Sequence, residues 1–68
     1  MTTYEYLSDA DKTAIREAAI RGLEYHIFGL EQQLLIANAA ATPDTVAIDQ
    51  MESAIAEKQA QIQVLKQA

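Results

Sequence analysis

The chain has 68 residues, a formal net charge of −5 and no cysteine. A chain that short makes one domain at most, burying only roughly 60% of its unfolded surface. It has neither a disulfide nor a Cys/His zinc cluster to staple it. Its five basic residues, Lys12, Arg16, Arg21, Lys58 and Lys66, are dispersed, whereas a phosphate-binding surface needs them clustered; this excludes nucleic acid as a partner.

Half of the residues are hydrophobic, with only two glycines and one proline, the composition of an all-α protein. The longest apolar run, residues 34–37, falls far short of the ~20 needed to span a bilayer. Residues 1–7 lack the basic start and apolar core of a signal peptide. The expectation is a soluble, cytoplasmic protein without a membrane partner.

Residues 1–7 read as an arm carrying Tyr4, Tyr6 and Leu7, ahead of a single helical-hairpin domain over 8–68. The arm is either a frayed terminus or a pair of tyrosines docked on apolar surface in an assembly. Ser8 reads as an N-cap, and Asp9 and Asp11 place negative charge in the first turn, where the helix dipole favours it. No proline follows until Pro43, so one helix is predicted over about 9–40, roughly 45 Å long. Thr42 then suits an N-cap, Pro43 the first helical position and Asp44 an acidic first turn. The second helix is predicted over about 43–67.

Each helix carries a seam that alternates steps of three and four, as in a coiled coil. In the first the seam is Ile20, Leu23, Ile27, Leu30, Leu34, Ala37 and Ala41. In the second it is Ile48, Met51, Ile55, Lys58, Ile62 and Leu65. Pairing Ala37 with Ile48, Leu34 with Met51, and so on to Ile20 with Leu65 gives residue numbers that always add to 85. The midpoint of that sum falls at the predicted turn. Periodicity and capping thus agree on an antiparallel helical hairpin whose core is the two seams.

With the seam at heptad positions a and d, position e of the first helix is Glu17, Glu24, Glu31 and Asn38. Its g and c rows hold Ala19, His26 and Gln33, and Ile15, Gly22, Gly29 and Ile36. In an antiparallel pair the g flanks share a side, which adds Ala47 and Ala54 of the second helix. One flank is therefore small and mostly uncharged, the other acidic. The uncharged side is expected to be an oligomer interface comprising Ile15, Ala19, Gly22, Tyr25, His26, Gly29, Gln33, Ile36, Ala47 and Ala54. Phe28 and Leu35, at position b, also lie outside the intrachain seam. By the sum of 85, residues 9–16 have no opposite number in the second helix and overhang. Two hairpins joined in a four-helix bundle are the simplest assembly that covers these surfaces.

Little in the chain points to catalysis. His26 is the only histidine, and Leu23 stands where a di-iron Glu-x-x-His motif would need glutamate. A histidine at a helix interface fits better than a ligand. The ladder Glu17, Glu24 and Glu31 reads as a solvated face. Lys58, the one charge in a core seam, is either a snorkelling side chain or a device that fixes register. No serine or threonine has both a base and an orienting group nearby, and there is no glycine-rich loop. No catalytic, cofactor-binding or metal residue is expected.

The stretch Leu23-Glu24-Tyr25-His26-Ile27-Phe28-Gly29-Leu30-Glu31, then Leu34-Leu35-Ile36-Ala37-Asn38-Ala39, carries a resemblance. Together with the proline-containing turn and the Ala/Gln/Ile-rich second helix, it resembles short helical proteins of marine contractile-tailed cyanophages. That group has no assigned function and implies no site residue, but it implies a phage protein located in the host cytoplasm. The sequence therefore leads to a non-enzymatic structural or assembly protein that self-associates, a homodimer being the simplest form. The alternative is an adaptor or inhibitor that binds a host or virion protein through the apolar face of the first helix.

Overall fold

The computed structural model describes residues 5–68, so Tyr4 of the arm lies outside the described residues. Residues 5 and 6 form a turn, and the Tyr6 side chain is 78% exposed. Two helices follow, α1 (Asp9–Asn38) and α2 (Thr45–Gln67), folded back on one another as a hairpin. The molecule is a rod of 54 × 19 × 14 Å.

The start of α1 follows its sequence. Ser8 is in extended conformation, and its hydroxyl accepts the backbone N–H of Asp11 at 3.1 Å, satisfying one of the orphan donors of the first turn. Asp9 and Asp11 lie in that turn. The far end falls two residues short of the expected Ala40. Ala39, the C-cap, shares its N–H between the carbonyls of Leu35 and Ile36, each at 3.2 Å. Asn38 Nδ2 takes the Leu34 carbonyl at 2.9 Å. The last turn thus tightens and closes on itself without a glycine in left-handed conformation.

The start of α2 corrects the sequence reading. Asp44, not Thr42, is the N-cap: its carboxylate accepts the N–H groups of Val46 at 3.1 Å and Ala47 at 3.2 Å. Pro43 precedes the cap instead of opening the helix. A charged carboxylate that takes two orphan donors beside the positive helix end outweighs a threonine hydroxyl followed by proline. Asp44→Ala is therefore expected to cost about 1 kcal/mol of stability, and Thr42→Ala much less. Urea denaturation of the two variants checks this, and equal losses would contradict the assignment.

Burial follows the seams. Ile20, Leu23, Ile27, Leu30, Leu34 and Ala37 of α1 are half-buried, as are Met51, Ile55, Lys58 and Leu65 of α2. Among the described residues only Ile48 and Ile62 are buried, at 8% and 7% exposure. Lys12 and Arg16 continue the half-buried row of α1 toward its N-terminus. The fold-back register makes a direct prediction. Cysteines at Ala37 and Ile48, one pair of the sum-to-85 series, should form an intrachain disulfide, detected as a faster-migrating monomer on nonreducing gels. Crosslinking only at pairs displaced by a heptad would refute that register.

Candidate interaction surface

A helix pair of this length can cover only one stripe of each helix, and what α1 leaves open is unusual in its chemistry. From residue 14 to 39 the rows opposite its seam are Ala14, Arg21, Phe28 and Leu35; Ala18, Tyr25, Gln32 and Ala39; Ile15, Gly22, Gly29 and Ile36. Arg21 is the only charge among them. Each of these residues is exposed, and α1 contains no buried residue at all. Phe28 is 62% exposed and Ile36 74%, far beyond what a scattered surface side chain needs to explain.

The surface area supports the same point. The chain exposes 5372 Å², against roughly 4,200 Å² for a compact monomer of 7.5 kDa. The outer rows of α2 offer less apolar surface. Val46 and Val64 are exposed there, among Asp49, Gln50, Ser53, Glu57, Gln63 and Gln67. The two helices are thus unequal, and α1 exposes the larger apolar face.

The residues expected at an interface fall into two groups. Ile15, Ala19, Gly22, Tyr25, His26, Gly29, Gln33 and Ile36 are all exposed. Ala47 and Ala54 are half-buried, because the hairpin itself partly covers that side of α2. A Cβ added at Gly22 or Gly29 would meet nothing within 4 Å, so neither glycine serves the packing of α1 on α2. Phe28 and Leu35, left out of the expected interface, join Ile15 and Ile36 on one continuous apolar face. Their spacing of one heptad, in the same row as Ala14, was the signal available in the sequence. The face is consequently centred opposite the seam, not on the flank that α1 shares with Ala47 and Ala54.

Polar features are few. The Arg21 guanidinium lies over the Tyr25 ring, 5.5 Å from its centroid, at the distance of a cation–π contact. The one cation of the face is thus paired within its own helix. On the acidic flank a shallow groove of about 400 Å³ runs between Glu24, Ile27, Phe28 and Glu31 of α1 and Gln59, Ile62, Gln63 and Lys66 of α2. It is open to solvent, and no polar side chain is buried among the described residues. No group of three or more His, Cys, Asp or Glu is placed to hold a metal ion among the described residues. Among the described residues no helix is long and apolar enough to cross a membrane.

No family model, curated protein or solved structure matches the chain.

Proposed function

We propose that this is a non-enzymatic assembly protein that works by helix–helix self-association, with a homodimer of hairpins, four helices in all, as its simplest form. One observation carries the reading: the exposed, nearly uncharged face of α1 holding Ile15, Tyr25, Phe28, Leu35 and Ile36. Soluble monomers seldom expose a contiguous apolar surface of this kind, and larger ones mark interaction sites. The other α1 flank keeps all the acids after the first turn, Glu17, Glu24 and Glu31, where they solvate the assembly without entering it. The resemblance to cyanophage proteins would place the assembly in the cytoplasm of an infected host.

The test is the mass in solution across a wide concentration range, by sedimentation equilibrium, for the native chain and for Phe28→Glu. Self-association predicts a multiple of 7.5 kDa for the native chain and a shift toward monomer for the variant. A native chain that stays monomeric at every concentration would overturn the reading and favour an adaptor whose α1 face captures the helix of another protein.

A further inference from the structure

We propose that residues 39–44 are a hinge that Pro43 and Asp44 lock. With the lock removed, the chain straightens into one helix and pairs its seam with that of a second copy. Every pair adding to 85 is kept, now between two chains. The contact involved is the seam, not the outer face of α1.

The two seams are in phase across the turn. Steps of four, three and four from Ala37 reach Ala41, Asp44 and Ile48. One heptad count therefore runs from Ile20 to Leu65 without a break. The flanking row keeps step as well, since Ala19, His26, Gln33 and Ala40 continue into Ala47 and Ala54. A hairpin does not require this. A turn one residue longer or shorter would bring the same seams together, with only the constant sum changed. A single straight helix does require it, because its seam must stay on one side from end to end.

The turn is built to open. Ala39 is still in right-handed helical conformation, and the Ala40 N–H reaches back to the Ala37 carbonyl at 3.4 Å. No described residue has positive φ, and residues 38–46 are all exposed. Hydrogen bonds stay on their own side of the turn: Ala39 and Ala40 bond back into α1, and Asp44 accepts from Val46 and Ala47 of α2. The three alanines at 39–41 are strong helix formers. Pro43 is the residue that a continuous helix excludes, because it has no N–H for the Ala39 carbonyl and its ring crowds that carbonyl.

In an antiparallel pair of straight chains, Ile20 faces the partner's Leu65 and Leu30 the partner's Ile55, the same pairs as within the hairpin. No seam contact is lost, so the turn alone decides between the two forms. Asp44 adds to the lock. Straightening removes its capping role and places it in the seam opposite the partner's Ala41. The two Asp44 carboxylates then lie about 4.5 Å apart along the axis, where like charges repel.

Pulsed dipolar spectroscopy on a chain carrying nitroxides at Glu24→Cys and Gln59→Cys reads the hinge, since the chain has no cysteine of its own. Refolding with excess unlabelled chain of the same variant leaves only distances within one molecule. Along the axis the two sites are about 3 Å apart in the hairpin and about 50 Å apart in a straight helix. The native chain is expected to give the short distance, and Pro43→Ala/Asp44→Ala the long one. Two alanines inserted after Ala40 in that double variant turn the second seam about 200° around a straight helix, yet leave a hairpin free to form. The short distance is expected to return. A short distance from the double variant, a long one that survives the insertion, or a broad distribution with loss of helical circular dichroism would each overturn the proposal. None of these outcomes depends on mass, so they are separate from the test of self-association.

Discussion

Ile62→Ala is expected to cost about 2–5 kcal/mol and to leave the chain largely unfolded near room temperature. Ile62 and Ile48 are the only buried side chains in the hairpin. Ile62 is flanked along its seam by half-buried Lys58 and Leu65, and faces Leu23 in the sum-to-85 register. Removing three carbons there leaves a gap that two straight helices, joined only at residues 39–44, cannot close by shifting a layer. Ile36→Ala is the informative companion, because Ile36 is 74% exposed and touches no seam. Its loss should lower stability only through the oligomer, so its effect should shrink on dilution, whereas that of Ile62→Ala should not. Thermal melts followed by circular dichroism at several concentrations separate the two. If Ile62→Ala melts like the native chain, the seam is not the core of this fold.

The hairpin could be read from the sequence because two signals of different origin coincide. Apolar residues recurring in steps of three and four specify which stripe is covered, and the residues found half-buried or buried include the expected seam from Ile20 to Ala37 and from Ile48 to Leu65. Ser8 was legible as a cap because it stands immediately before the first acidic turn, whereas Thr2 and Thr3 lie five or more residues upstream of it. The second cap was not, because Thr42 and Asp44 are both natural caps and Pro43 fits either reading. Which one accepts the N–H groups depends on the path of the chain out of α1, and α1 ends at Asn38, two residues earlier than periodicity suggested. The exposed apolar face of α1 was legible in composition but not in direction. The alanine-rich g rows pointed to one flank of the hairpin, yet half-buried Ala47 and Ala54 show that part of this flank is covered within the chain. Phe28 and Leu35 move the apolar face to the back of α1.

Gly22→Leu and Gly29→Leu are the substitutions whose outcome separates a covered face from a solvated one. Within a single chain both are harmless, since the new Cβ meets nothing within 4 Å and neither glycine has positive φ. Leucine is a far better helix former, so an isolated hairpin should gain about 0.5–1 kcal/mol from either change. A second copy reverses the sign. If a second helix packs close over either glycine, a leucine forces the helices apart at a cost of about 1–3 kcal/mol. Each change would then raise the dissociation constant roughly 5- to 150-fold. The two effects are read by different measurements: helix stability in dilute solution, where the hairpin stands alone, and mass at high concentration. The expected result is a variant more stable as a monomer and weaker as an oligomer. Variants that are more stable at both concentrations and of unaltered mass would place Gly22 and Gly29 in solvent and remove them from any contact.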